Sequence, residues 1–234
     1  MTDFDQNDYS SSGVATTEAQ EEEKETGRLE AFSDGVFAIA ITLLVLEIQL
    51  PRDVAPGRLM AAALNQWPSV VAYAVSFLTI LVMWLNHHSV MQFIKRANRL
   101  FFVYNGLLLM VITFLNFPTA LVAEAATLRF SDQRFSALVY TGTMVFIALC
   151  YNLLWFYASR GRRLIARNIP DAAVQKISRQ YRYGVPLYLF AFALAFFSPL
   201  ASMAVIFALG LYFAFTGSIG RPATDATHGK DNQP

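Results

Sequence analysis

Residues 28–48 read RLEAFSDGVFAIAITLLVLEI, and no Asp, Glu, Lys or Arg occurs from Gly35 to Leu46. An apolar run of this kind continues from Phe32 to Leu50. A helix needs about 20 apolar residues to cross a hydrocarbon core of roughly 30 Å, so the stretch reads as a first membrane span near 32–50. The same charge deficit recurs from Leu59 to Ile94, Leu100 to Ala123, Phe135 to Ser159 and Tyr183 to Gly220. These predict further spans near 68–92, 99–122 and 135–158. The last run would make a single helix about 57 Å long at about 1.5 Å per residue, too long for a bilayer. Ser198-Pro199 lies near its middle, and a residue before proline is pushed out of helical geometry. Two shorter spans, about 184–197 and 199–217, follow.

The whole composition agrees. Of 234 residues, 55% are apolar and only 15% charged, with a mean hydropathy of +0.40; soluble chains carry roughly 25% charged residues. The fold class expected is an all-α, polytopic membrane protein with six transmembrane helices. A formal net charge of +1 argues against a nucleic-acid binder driven by bulk electrostatics. The single cysteine, Cys150, cannot form an internal disulfide, which excludes a stapled secreted scaffold.

Charge at the span ends sets the orientation. Lys95, Arg96 and Arg99 follow the second span, and Arg160, Arg162, Arg163, Arg167, Lys176, Arg179 and Arg182 follow the fourth. Arg52, Arg58, Arg129 and Arg134 occupy the opposite side. Ten against four is a positive-inside bias, with both termini cytoplasmic in a cell membrane. Residues 1–27 are polar and acidic, unlike a basic signal-peptide start, and read as a disordered tail. Residues 28–217 form the membrane domain, and 218–234 a second polar tail.

Catalytic signatures are absent from the sequence: no Gly-rich phosphate loop, GxSxG, HExxH or CxxC occurs. His87 and His88 are adjacent, but helix neighbours point about 100° apart, so they do not share an ion. Tyr183-Gly184-Val185 has the wrong order and flanks for a TVGYG filter. No metal site, cofactor or enzymatic activity is expected.

Within the first span, Ile39, Leu43, Leu46 and Leu50 stand at i, i+4, i+7 and i+11, a single stripe with Thr42 on its margin. Asp34 lies about 140° away from Ile39 at helical spacing and turns back into the bundle. A charge at membrane depth is costly. Arg28 is its natural counter-charge, and Trp84, Asn86 and His87 on the second span are reachable polar partners. From periodicity alone the stripe fits a lipid-facing or packed surface as well as a pore.

The string RLEAFSDGVFAIAITLLVLEI resembles the first-helix signature of the transmembrane protein 175 potassium-channel family, in its bacterial single-repeat branch. The RxxxFSDG pattern is present in full at Arg28, Phe32, Ser33, Asp34 and Gly35, and Trp84-Leu85-Asn86-His87 resembles the second-helix signature. The resemblance implies a non-P-loop channel assembled as a homotetramer, with helix 1 of each subunit lining the pore. It implies potassium selectivity from rings of apolar side chains, Ile39 narrowest, then Leu43 and Leu46, with Thr42 a nearby hydroxyl. It further implies that Arg28, Ser33, Asp34, Trp84, Asn86 and His87 form a structural polar network. The partners expected are potassium ions, three further copies of the chain and lipid. An alternative from the residues alone is a proton-coupled secondary transporter using Asp34, Glu47, Glu124 or His87.

Overall fold

The computed structural model describes residues 7–49, 53–166 and 168–217, with side-chain surroundings described from Lys24 to Phe215. Eight α-helices lie among these residues: α1 (Asn7–Leu43), α2 (Leu59–Leu64), α3 (Trp67–Met91), α4 (Arg99–Phe114), α5 (Asn116–Ala125), α6 (Phe130–Ser159), α7 (Asp171–Ala195) and α8 (Pro199–Gly217). α1 ends in a tighter 3-10 turn over Leu44–Glu47. It begins inside the polar segment 1–27, whereas Leu50, Arg52, Arg167 and the segment 218–234 lie outside the described residues.

Four columns are long and apolar enough to cross a bilayer: Lys24–Glu47, Leu59–Met91, Arg99–Ala125 and Phe130–Arg162. They correspond to the first four expected spans. The third is built from two helices, because Pro118 has no N–H to give to Phe114 and the ladder opens at Leu115 between α4 and α5. Asn98 starts α4 by accepting the amide of Phe101 at 3.0 Å, a side-chain cap on an otherwise orphan donor.

The long apolar run at 183–220 does break at Ser198. Its amide donates back to Leu194 O at 2.9 Å, closing α7. Its hydroxyl accepts Ala201 N at 3.3 Å and opens α8, with Pro199 in the first turn. The two arms then run antiparallel: Ser202 Oγ reaches Ala191 O at 2.8 Å, and Tyr188 stacks on Phe213. α7 starts earlier than expected, at Asp171, because its charged half continues the same helix. The apolar part of α8, Pro199–Phe215, is shorter than the four columns.

α6 is the central pillar, packed against α4, α5, α7 and α8. Tyr140, Met144, Ile147, Leu154 and Trp155 are all buried along it. α1 stands at the edge, against α3 and α4. At one end the loops after α3 and α6 are clasped: Lys95 N donates to Leu164 O at 3.0 Å and Ala166 N to Phe93 O at 3.1 Å. The basic residues 95–99 and 160–163 therefore share one end of the bundle, as the charge count requires.

Candidate pore helix and its polar anchor

α1 has two faces of different fate. Leu29, Ser33, Phe37, Ala40 and Leu44 repeat at helical spacing and are buried against the neighbouring helices, the last three at 1%, 0% and 0% exposure. On the other side Ile39, Leu43 and Leu46 are exposed at 58%, 43% and 60%. The apolar column foreseen from periodicity is thus not part of the protomer core. Thr42 is exposed beside it; its hydroxyl donates to Ile39 O at 3.0 Å, so only its lone pairs are uncommitted.

The buried face is fastened by two sets of polar contacts. Trp84 Nε1 donates to Asp34 Oδ1 at 2.8 Å. One turn along on each helix, His88 Nδ1 stands 2.9 Å from Glu30 Oε1, at ion-pair distance although out of line for a hydrogen bond. Residues 84 and 88 of α3 thereby face 34 and 30 of the antiparallel α1, because residues four apart share a helix face. His88 also stacks on the Trp84 ring, with centroids 5.8 Å apart.

Deeper in, α1, α3 and α4 meet at one relay. Ser33 Oγ donates to Leu29 O at 2.8 Å, Asn105 Nδ2 donates to Ser33 Oγ at 2.9 Å, and His87 Nε2 lies 2.8 Å from Asn105 Oδ1. With the amide proton given to Ser33, Asn105 Oδ1 is the acceptor, so His87 carries its proton on Nε2. Its Nδ1 is left buried without a partner, beside the Phe37 ring at 5.3 Å between centroids. All three side chains, Ser33, His87 and Asn105, are 0% exposed. Buried polar groups this deep demand mutual satisfaction, and the relay supplies it across three helices for every member but His87 Nδ1.

Not every expected partner joins. Arg28 is exposed and unpaired with Asp34; it borders a crevice with Glu25, Phe32, Phe102 and Asn105. Its side chain is exposed, so no burial forces a counter-charge. Asn86 is turned away from α1, into a small cavity of about 60 Å³ between α3, α6, α7 and α8, with Asn152, Gln180 and Tyr181. Adjacent helical residues point about 100° apart, so His87 and Asn86 cannot both face α1. Asn105, Glu30 and His88 are the members that sequence reading missed. Asn105 did carry a signal, as an amide within the charge-free run 100–123 where polar groups are expensive. Glu47 ends the 3-10 turn, half-buried, with no ion pair among the described residues. No group of three or more His, Cys, Asp or Glu side chains suited to a metal occurs among the described residues.

The comparisons with known proteins follow this geometry. A family model described as "Endosomal/lysosomal potassium channel TMEM175" matches residues 28–116, which hold α1 from Arg28 onward, α3, α4 and every member of the relay. The chain is 50% identical over 195 residues to "Potassium channel Cha6605_3372" of Chamaesiphon minutus, covering 82% of this chain and 95% of that protein. It is 31% identical over 201 residues to "Endosomal/lysosomal proton channel TMEM175" of Gallus gallus, covering 82% of this chain but 38% of that longer protein. Among solved structures, a lysosomal potassium-selective channel TMEM175 homolog from Chamaesiphon minutus superposes with a TM-score of 0.75 at 47% identity, over 83% of this chain and 99% of that one. A shared architecture, a shared first-helix signature and half of all aligned residues in common place this multi-pass membrane protein in one lineage: the chain belongs to the TMEM175 family.

Proposed function

We propose that the chain is a potassium-selective channel, a non-P-loop homotetramer with α1 of each protomer lining a central pore. The observation that carries this reading is the exposed column Ile39, Leu43 and Leu46 on a helix whose opposite face is bolted to α3 and α4. A single α1 cannot enclose a conduit, so symmetry must supply the other walls. Four copies of the column give stacked apolar rings, Ile39 narrowest. Such a ring conducts only when hydrated and otherwise gates by dewetting. A cation crossing it sheds part of its water shell, and potassium holds that water less tightly than sodium. Selectivity then arises without a coordination cage, with Thr42 lone pairs adjacent.

Ser33, Asp34, Trp84 and His87 are structural in this reading, holding α1 in orientation with Asn105 rather than binding ions, while Arg28 and Asn86 stand outside that anchor. In the cell membrane the hairpin α7–α8 completes six transmembrane helices, both tails, 1–27 and 218–234, being cytoplasmic. The clasp that gathers the basic residues 95–99 and 160–163 at one end supports that orientation.

The test is a planar-bilayer recording with potassium and sodium on opposite sides. The wild-type chain gives single-channel steps and a reversal potential favouring potassium, and Ile39→Asn moves that potential toward zero. A saturating, pH-driven flux without unitary steps would instead support the transporter alternative. The unpartnered Nδ1 of His87 is the observation that favours a proton path; its mark is a current that follows the pH gradient with no potassium present.

A further inference from the structure

A cavity of about 280 Å³ opens between α3, α5, the first half of α6 and the start of α8. Its walls are apolar: Val71, Ala72 and Val75 of α3 face Ala137 of α6 and Met203 and Phe207 of α8. Three hydroxyls form its floor; Ser136 and Gln133 also line it, with their protons given to Gln133 O and to Ala126 O and Leu128 O. Thr119 Oγ1 spends its proton on Leu115 O at 2.8 Å. The 2.8 Å contact between Ser76 Oγ and Thr119 Oγ1 is therefore donated by Ser76, and the 3.2 Å contact between Ser76 Oγ and Tyr140 is donated by the phenol. Every proton on the floor is committed within the protein. The cavity can offer no hydrogen bond to a carboxylate, phosphate or carbonyl.

Its surroundings are equally one-sided. The lining residues of α3, α5 and α6 belong to three of the four columns able to cross a bilayer, and α8 contributes its own apolar stretch. The mouth is framed by exposed apolar side chains, Trp67, Val71 and Leu200. Trp67 begins α3, and Trp at a span end marks the membrane–water boundary. A largely apolar void open to hydrocarbon, whose few hydroxyls have no proton to give, holds water poorly.

We propose that this cavity is a binding site for the acyl tail of a membrane phospholipid, inserted between α3, α6 and α8 with its headgroup left at the Trp67 level. The tail enters methyl end first and lies against the closed hydroxyl floor. α3 and α5, which border it, are also elements on which the turn Leu44–Glu47 of the candidate pore helix rests. The site requires only that the protein span a membrane and does not depend on ion conduction.

The test uses the full chain in phosphatidylcholine–phosphatidylglycerol vesicles doped with a phosphatidylcholine carrying a mid-chain diazirine. After photolysis, peptide mass spectrometry locates the adducts. Adducts concentrate several-fold on the lining segments of α3, α6 and α8 over the outward residues Leu149, Leu153 and Phe156 of α6. Ala137→Phe, which fills the cavity, removes that excess. Val71→Trp, at the exposed mouth where folding is not at stake, lowers it in the same direction. A parallel arm with a diazirine-bearing free fatty acid labels the lining no better than the phospholipid. Even labelling over all outward faces, lining adducts that survive both substitutions, or labelling by the free fatty acid alone would overturn the proposal. Each of these readings is the same whether or not the protein conducts potassium.

Discussion

α6 and α1 are both apolar helices able to cross a bilayer, yet 56% of the apolar window of α6 is buried within the protomer and only 28% of that of α1. α6 touches helices on several sides, so most of its large side chains interdigitate with neighbours, and a row including Phe146, Leu149 and Phe156 is left outward. α1 is held along a single stripe and leaves Ile39, Leu43 and Leu46 uncovered. Composition does not distinguish the two. The difference lies in where polar groups interrupt each helix. α6 is linked on several sides: Tyr140 meets Ser76 of α3, Tyr151 donates to Met83 O of α3, and Asn152 and Trp155 donate to Tyr181 O and Ser178 Oγ of α7. α1 carries Ser33, Asp34 and Glu30, which reach other helices and choose one face. A helix fastened on one side by such contacts is one whose other side is available to copies of itself.

That contrast can be broken by substitution. The largest expected effect is in the pillar: Leu154→Ala, at 0% exposure, opens a cavity and costs about 3 kcal/mol, read as a lower midpoint in detergent-driven unfolding. Next comes Asn105→Ala, which strands His87 Nε2 and removes the donor to Ser33. A buried unsatisfied group costs about 2 kcal/mol, and the same unfolding assay reports it. Asp34→Ala deletes the acceptor of Trp84; a loss of about 1 kcal/mol lowers the yield of assembled protein in size-exclusion light scattering. Asp34→Asn, which keeps an acceptor oxygen, restores most of it. If Asp34→Ala remained fully assembled and lost only ion preference, Asp34 would be a pore residue rather than an anchor. The smallest effect on stability is Ile39→Asn, within about 0.5 kcal/mol because the side chain packs on nothing in the protomer, although it is the substitution that shifts the potassium reversal potential. A destabilisation as large as that of Leu154→Ala would show that the column is core.

How much of this was legible beforehand varies by element. The first four spans follow from charge-free runs, because a charge inside hydrocarbon is excluded whatever the packing. The break at Ser198-Pro199 was legible for a local reason, the residue before a proline being pushed out of helical geometry. The earlier start of α7 was not, since Asp171 to Arg182 look like a loop in composition and are helical only by continuation of an amphipathic surface against α6. Within the anchor, Trp84 and His87 were foreseen and are engaged, while Asn86 and Arg28 were foreseen and stand elsewhere. A sequence lists polar residues at membrane depth without saying which way each helix is rotated.

Taken alone, the order of residues 28–48 and the spacing of charges determined that this chain crosses a membrane several times and belongs to a recognisable channel lineage, because desolvation acts on each segment independently. Only the packed structure decided that Asn105 completes the relay, that Glu30 meets His88, and that Ile39, Leu43 and Leu46 are left uncovered. Those are matters of rotation and proximity between helices up to 72 residues apart, and they are settled by which faces satisfy one another when the bundle closes.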